Sequence, residues 1–280
     1  MSLTRLTNNV TSLNGQNNLN QRANSLRESL ERLSSGLAIN RASDNAALLS
    51  ISENLRSQIS GLNQAIDNAA SGVNLANTAE GALNQTSAEL QRIRDLTVQA
   101  GNGTLDDTAL QAIQDEIDAA VAEIDRVGGE TQFGAQTLLD GGDAGQSGGA
   151  QTFDFQVGAN ANQSVDLELR DARSEALGVS GIDVRTDAGR TAALEAVDAA
   201  IAQVSEQRSE IGAFSGGLES AINSLGVAAE NLTASESRIR DTDVAQETAK
   251  LIRDRFLIEA GIANLAQSNL APQGVLSLLG

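Results

Sequence analysis

The sequence predicts a mainly α protein, in which N- and C-terminal helices form a long antiparallel helical bundle or coiled coil with a small β-hairpin insertion. Three observations predict this fold. Apolar residues recur at steps of three and four over most of the chain. Two short segments near its middle alternate with period two instead. Helical patterns occupy both ends, so the chain can return and pair its terminal helices.

The N-terminal half contains three helical stripes. The first consists of leucines at steps of four, three and four: Leu26, Leu30, Leu33 and Leu37. A second stripe runs from Leu48 to Ala100 and predicts one helix from about residue 44 to about residue 100, roughly 80 Å long. Such a length favours coiled-coil-like packing over an ordinary globular helix. Asp107 or a neighbour is expected to cap the third helix, and Gly128-Gly129 to end it.

The middle of the chain predicts strands. Residues 152–157 and 165–169 alternate, and a turn-rich linker of Gly, Asn and Ser joins them, so a hairpin is expected within residues 130–190. The helical stripe returns at about Thr191 and continues towards the C-terminus. We therefore expect an inner domain of terminal helices, residues 1–42 and 240–280, and a rod-like helical domain, residues 43–239, that carries the hairpin.

Composition excludes several classes of function. The 280 residues include 37 acidic and 19 basic residues, which disfavours nucleic acid and anionic membranes as partners. His and Cys are absent, so the commonest general base and zinc–sulfur sites are unavailable. No enzyme activity, cofactor or metal is predicted. No segment has the ~20 apolar residues of a membrane span, and no Sec-type signal is evident, so if the protein is exported, a route other than a cleaved signal is expected.

Two acidic motifs have structural explanations that we favour over chemistry. Asp115, Glu116 and Asp118 cluster on one predicted helix and are typical of a solvated helix face. Asp241 and Asp243 form an Asp-x-Asp pattern, but Asp243 followed by Gln246 is typical of a capping box at the start of a helix.

Several motifs, in order along nearly the whole chain, resemble bacterial flagellin. Residues 30–83 read LERLSSGLAINRASDNAALLSISENLRSQISGLNQAIDNAASGVNLANTAEGAL and resemble the family's N-terminal region. LQRIRDLTVQAGNGT at 90–104 and EIDRVGGETQFGAQTLL at 123–139 are similar to flagellin segments, and residues 230–280 resemble the C-terminal signature. One departure is the segment Asp44-Asn45-Ala46-Ala47-Leu48, where flagellins usually have Asp-Asp-Ala-Ala-Gly. Loss of the flexible glycine is expected to stiffen the link between the inner domain and the rod-like domain. The variable outer domains are missing.

The resemblance implies a subunit that polymerises into the extracellular flagellar filament for swimming motility. Its implied partners are other copies of the chain, an export chaperone at the C-terminal segment, and the filament cap and junction proteins. It also implies export through the flagellar type III apparatus without a cleaved signal peptide, and terminal segments that fold on assembly. The assembly residues are expected in the terminal helices: Leu26, Leu30, Leu33, Leu37, Phe256, Ile262, Leu265, Leu270, Val275, Leu276, Leu278 and Leu279.

A second surface follows from the same resemblance. Flagellins that the flagellin-sensing Toll-like receptor recognises present a motif like QRIRDL. The matching residues here are Gln91, Arg92, Arg94, Leu96 and Glu116. The resemblance also implies that this surface forms a contact between subunits of the filament.

Three other classes of protein are alternatives to a filament subunit. A hook–filament junction protein shares the terminal signatures and is the nearest alternative. A flagellin with a metalloprotease insert needs His, which this chain lacks. A type III secretion translocator commonly carries apolar membrane-inserting segments, which are absent from this sequence.

Overall fold

The computed structural model describes residues 9–142 and 149–276, with the side chains of 271–276 left out. It is mainly helical with two small antiparallel strand pairs, which confirms the predicted fold class. The elements in order are α1 Val10–Ser35, α2 Ala42–Ala100, α3 Asp107–Glu130, β1 Gln132–Phe133, β2 Gln136–Thr137, β3 Ala150–Gln156, β4 Ser164–Arg170, α4 Asp187–Arg240 and α5 Val244–Leu276.

Contacts divide the chain into two compact units. The terminal unit comprises residues 1–57 and 231–280, and the central unit comprises residues 58–230. Helices α2 and α4 each contribute residues to both units.

The hydrophobic core of the central unit lies between α2, α3 and α4. Its α2 side consists of the predicted stripe, in which Leu83, Leu90 and Ile93 are fully buried. Ile117 and Ile124 of α3 are equally buried, and the hairpin adds residues to the same core. From Ala69 onward the stripe of threes and fours predicted the buried face correctly, because residues at that spacing lie on one side of a helix, whereas its first residues, Leu48 and Ile51, are exposed.

The ends of α3 confirm one prediction and correct another. Asp106, the neighbour of Asp107, caps the helix and accepts a hydrogen bond of 2.8 Å from the Ala109 N–H. The helix does not end at Gly128-Gly129 but continues to Glu130. A Cβ at Gly128 would lie 2.9 Å from the Arg173 side chain and 3.3 Å from its backbone N, so this glycine permits close approach of a loop.

The predicted hairpin is confirmed as β3 paired antiparallel with β4. Phe153 faces Leu167 across the pair, and both are buried, whereas Asp154 and Asp166 form the next pair and are exposed. This alternation follows from the two-residue period of a strand. The smaller β1–β2 pair was not predicted, because two residues per strand are too few to show alternation. Residues 143–148, part of the predicted glycine-rich loop, lie outside the described residues.

Two glycines of α2 allow the hairpin to pack closely against that helix. A Cβ at Gly61 would lie 2.9 Å from Ala159 Cβ and 3.2 Å from its Cα, in the loop between β3 and β4. A Cβ at Gly72 would lie 3.2 Å from the Phe155 ring. Between them, the Asn68 side chain donates a 3.1 Å hydrogen bond to the carbonyl of Gln156. The hairpin therefore packs directly against helix backbone.

The first prediction concerns the contact between Gly61 and the hairpin loop. Gly61→Ala should move the hairpin loop, since the new methyl group meets backbone atoms, whereas Gly81→Ala on the same helix meets nothing within 4 Å. Overpacking typically costs about 1–3 kcal/mol, and an unhindered helical Gly→Ala change gains about 0.5–1 kcal/mol. Chemical denaturation should give a lower free energy of unfolding for Gly61→Ala than for Gly81→Ala. Equal values for the two variants would contradict close packing of the hairpin loop against Gly61.

Candidate interaction surface of the terminal helices

Helices α1 and α5 pair antiparallel in the terminal unit. Asn9, which caps α1 through the Ser12 N–H, also donates a 3.2 Å hydrogen bond to the Ser268 carbonyl. At the other end of the pair, Arg22 donates to Asp254 at 3.2 Å. The register is therefore fixed by polar contacts at two places along both helices.

Glycines bring the two helices close together. Leu265 of α5 lies over Gly15 of α1, where an added Cβ would sit 3.3 Å from Leu265 Cγ. Leu19 of α1 lies over Gly261 of α5, where the corresponding distance to Leu19 Cδ2 is also 3.3 Å. Each helix thus presents a leucine to a glycine of its partner. The stripe analysis missed this feature because glycine carries no hydrophobic signal; the reciprocal Gly–Leu spacing is the signal that could have found it.

The buried side chains of the terminal unit are mostly polar. Ser12, Ser29, Glu247 and Asp254 are buried, whereas Ile39 is the only buried hydrophobic residue among those of this unit that the structure describes. Hydrogen bonding compensates only part of this burial: Lys250 donates a 3.4 Å hydrogen bond to Glu247, whereas the buried Ser29 hydroxyl has no hydrogen-bond partner among the described residues. The helix pair therefore lacks an apolar core of its own.

Large apolar side chains of α1 and α5 face outward instead. Phe256 is 67% exposed and Ile252 is 61% exposed. Further exposed residues of these helices are Val10, Leu13, Leu30, Val244, Leu257, Ile262 and Leu270. A monomeric protein rarely leaves this much apolar surface uncovered, and such surface is typical of a site of association.

The predicted assembly residues fall into three groups. Leu26, Leu33, Leu37 and Leu265 are half-buried within one copy of the chain. Leu30, Phe256, Ile262 and Leu270 are exposed. The remaining four, whose side chains lie outside the described residues, are Val275, Leu276, Leu278 and Leu279.

The two connections in the terminal unit are hydrogen-bonded to each other. Gly36 ends α1 in a left-handed conformation (φ 74°), and its carbonyl accepts a 2.9 Å hydrogen bond from the Thr242 N–H. The Ala38 N–H donates in turn to the Arg240 carbonyl at 2.6 Å. The α1–α2 connection is thus fixed against the α4–α5 connection, because each bond removes freedom from both segments.

Helix α2 is irregular near its start. Asn45 has φ −165° and ψ 98°, and its side-chain oxygen accepts a 3.0 Å hydrogen bond from the Leu48 N–H, so it caps the regular part of the helix. The preceding Asp44 accepts from the N–H groups of Arg41 and Asn40, which lowers the pKa of its carboxyl group. The residues that depart from the usual flagellin pattern thus form a capped break, whose stiffness is still a prediction.

The second predicted surface lies on the central unit, and four of its five residues are exposed. Arg92 donates to Glu116 at 2.6 Å, and Arg94 donates to Asp198 at 2.7 Å. The Glu116 hydrogen bond raises the pKa of Arg92. Gln91 is exposed beside them. Leu96 is only 8% exposed and belongs to the hydrophobic core, so including it in this surface was wrong.

The acidic motifs have separate hydrogen-bond partners. Asp115 accepts from Gln111, and Asp118 accepts from Gln114, each at 2.8 Å. Asp243 caps α5 by accepting from the Ala245 and Gln246 N–H groups, as predicted. Across residues 9–142 and 149–276, no group of three or more acidic residues is placed to hold a metal ion.

No helix in the described part of the chain is long and apolar enough to cross a membrane.

Comparisons with known proteins agree with this arrangement. The family model of the bacterial flagellin N-terminal helical region matches residues 6–144, and that of the C-terminal helical region matches residues 194–279. The flagellin of Bacillus subtilis (strain 168) is 44% identical over 302 residues, covering 98% of this chain and 99% of its own length.

Two further proteins are similar over much of the chain. The flagellar filament 33 kDa core protein of Treponema phagedenis is 38% identical, covering 97% of this chain and 98% of its own length. The crystal structure of Bacillus cereus flagellin has a TM-score of 0.50 and 24% identity, and the match covers 61% of this chain and 94% of that one. The structural likeness concerns the fold alone.

A second prediction separates core from surface on α2. Leu96→Ala should lower the free energy of unfolding by about 2–4 kcal/mol, because it leaves a cavity among buried side chains. Gln91→Ala, one and a half turns earlier on the exposed side, should change it by no more than about 0.5 kcal/mol. Denaturant titration of both variants tests the assignment. A small change in the free energy of unfolding for Leu96→Ala would contradict its assignment to the core and support a position on the surface.

Proposed function

The chain belongs to the bacterial flagellin family, and we propose that its terminal unit joins copies of the chain into a filament through the apolar surface that one copy leaves exposed. The protein is a structural subunit of the bacterial flagellar filament, and its principal partner is itself. The filaments that flagellins form are extracellular. As a subunit of a structural polymer, it is proposed to have no catalytic activity.

One observation carries the assembly proposal. The terminal helices bury polar residues between them and expose large apolar ones, the reverse of a self-sufficient helix pair. Burying a side chain such as Phe256 on a neighbouring copy gains about 1.5–3 kcal/mol. Repeated over the exposed residues of α1 and α5, this gain supports association of many copies. Of the twelve assembly residues predicted from the sequence, Leu30, Phe256, Ile262 and Leu270 are proposed on this ground, and the other eight are proposed from family membership.

A hook–filament junction protein is not better supported. The curated relatives described above are a flagellin and a filament core protein, and each matches this chain along nearly its whole length. Their similarity supports a subunit of the filament itself.

The division into domains is also a proposal. The sequence predicts an inner domain of terminal helices at residues 1–42 and 240–280 and a rod-like domain at residues 43–239. Because residues 43–57 and 231–239 belong to the terminal unit by their contacts, we propose that the inner domain extends to residues 1–57 and 231–280.

The route to the filament is proposed from family membership. The chain would pass unfolded through the flagellar type III apparatus without a cleaved signal peptide. An export chaperone would cover the C-terminal segment beforehand, and cap and junction proteins would meet the chain at the two ends of the filament. The exposed side chains of α5 are what such a chaperone would cover, since it must prevent early association.

The third prediction tests the terminal unit in assembly. A chain without residues 262–280 should form no filaments from seeds, because part of α5 and its exposed apolar residues are lost, while the central unit keeps its free energy of unfolding. Electron microscopy and denaturation measure the two outcomes. Normal elongation of the truncated chain would contradict the assigned role.

A matched pair of variants tests apolar burial itself. Phe256→Ala should raise the monomer concentration left at equilibrium with filaments by roughly tenfold or more, the equivalent of about 1.5 kcal/mol. Arg255→Ala removes a long, exposed side chain from the same turn without removing aromatic surface, and should change that concentration less than about threefold. Equal effects would show that apolar burial at this position is not what matters.

We also propose that the central unit is recognised by the flagellin-sensing Toll-like receptor, through Gln91, Arg92, Arg94 and Glu116. Support comes from family membership and from the exposure of these side chains. Because copies in the filament are proposed to cover the same surface, the receptor would meet monomers rather than filaments.

The fourth prediction follows. Arg92→Ala should weaken receptor activation by the monomer at least about fivefold, since exposed arginines are frequent contributors to binding energy at interfaces. Arg126→Ala is the control, because that arginine is similarly exposed on α3 and pairs with Glu123 and Glu130. Dose–response curves in receptor-expressing cells provide the measurement. Identical curves for both variants would refute the proposed surface.

A further inference from the structure

The connection between α2 and α3 contains an Asn-Gly dipeptide, Asn102-Gly103. Residues 101–104 are all exposed. An asparagine followed by glycine loses its side-chain amide most readily, because glycine has no side chain to hinder ring closure by the following backbone nitrogen. In a folded protein the reaction also needs that nitrogen to be free, so the local structure decides whether it occurs.

The attacking nitrogen is free in this loop. The Gly103 N–H donates no hydrogen bond to any residue that the structure describes. The turn is held by its neighbours: the Asn102 N–H donates to the Gln99 carbonyl at 3.1 Å, and the Leu105 N–H donates to the Asn102 carbonyl at 3.2 Å. Release of the Gly103 nitrogen therefore breaks none of the hydrogen bonds that hold the turn.

The Asn102 side chain is held over the residues that follow it. Its Oδ1 accepts a 3.3 Å hydrogen bond from the Thr104 N–H. This oxygen gains negative charge when the side-chain carbonyl carbon becomes tetrahedral, and a donor directed at it stabilises that charge. The Thr104 N–H thus positions the asparagine side chain and favours attack on it.

The second Asn-Gly dipeptide of the chain, Asn14-Gly15, has a different environment. Both residues lie inside α1, where backbone N–H groups donate to carbonyls four residues earlier. Gly15 also lies against Leu265 of α5. Ring closure at Asn14 requires local unfolding of the helix, whereas ring closure at Asn102 does not. Two identical dipeptides are therefore expected to differ in reactivity.

We propose that Asn102 is a site of spontaneous deamidation, at which the asparagine becomes aspartate or isoaspartate. The Gly103 nitrogen loses its proton and forms a bond to Asn102 Cγ. The bond from Cγ to Nδ2 then breaks, and ammonia leaves with the proton that Gly103 lost. Water opens the cyclic imide at one of its two carbonyls. One water is consumed and one ammonia is released, and no oxidant or reductant is needed.

Both products change this end of the central unit. Each adds one carboxylate to a chain that already has 37 acidic and 19 basic residues. The isoaspartate product also inserts a methylene group into the main chain shortly before Leu105, which packs against the hydrophobic core. Older chains would therefore carry more negative charge, and some would have a longer connection between α2 and α3.

The test is mass spectrometry of the full chain as a monomer, kept at about pH 8 with and without urea. Peptides that contain Asn102 should gain the mass difference between a carboxyl and an amide group, and an isoaspartate-specific methyltransferase should label part of them. The rate at Asn102 in the folded chain should equal or exceed the rate in urea. A lower rate in the folded chain would show that the loop protects Asn102 and would overturn the proposal.

Asn14 is the internal control, measured in seeded filaments, where the proposed function keeps α1 paired with α5. Unfolding in urea should accelerate its deamidation at least about tenfold, because the helix no longer holds the Gly15 nitrogen. Equal acceleration at Asn14 and Asn102 would overturn the role assigned to local structure. A chain that forms no filaments would refute the proposed function, while the monomer measurement at Asn102 would still decide the present proposal.

A matched pair of variants tests the attacking group. Gly103→Ala should slow deamidation of Asn102 at least about fivefold, because the added methyl group hinders ring closure. A Cβ at Gly103 meets nothing within 4 Å, so the loop can accept it. Gly129→Ala is equally unhindered, leaves the dipeptide intact and should not change the rate. Equal rates in the two variants would overturn attack by the Gly103 nitrogen.

Discussion

Scarcity of buried apolar surface in the terminal helices is the constraint on which the rest of the molecule depends. Ordering a residue costs about 1–2 kcal/mol of backbone entropy, and burial must offset that cost. Helix α1 has 26 residues, yet its buried side chains are Ser12 and Ser29. The α1–α5 pair therefore relies on contacts that a single copy does not contain. This explains why its apolar residues are exposed, since a surface used for association between copies cannot also be covered within one copy.

The two units combine properties that would conflict in one. The charged groups packed among the close contacts of the terminal helices, Glu247 and Asp254, have lost most of their water, and each lies beside a cation that offsets part of the cost of several kcal/mol for an unpaired ion. On the central unit, charge remains hydrated and keeps the chain soluble before it assembles. A closed core lets that unit fold without partners, while the terminal unit stays available for association. Association and solubility thus depend on different parts of the same long helices.

Helical periodicity predicted the buried face of α2 from Ala69 onward, and period-two alternation predicted the hairpin, because both depend on spacing along the chain. The end of α3 was expected at Gly128-Gly129, whereas the helix continues to Glu130, and Gly128 instead permits the close approach of Arg173. Leu96 was included in a surface because it matches the family motif, although its own position in the stripe faces the core. The Arg22–Asp254 bond joins residues far apart in sequence, and no local pattern indicates it.

The paired leucines and glycines of α1 and α5 also make the pairing directional along the helix axis. If α5 slid by one turn, Leu19 would meet Leu257 or Leu265 in place of Gly261, and two bulky side chains would compete for a space that holds one. Only one alignment gives both leucines a recess. The helix pair has little buried apolar surface to set this alignment, so the two glycines, which leave space for one leucine each, determine it together with the polar contacts at Asn9 and Arg22.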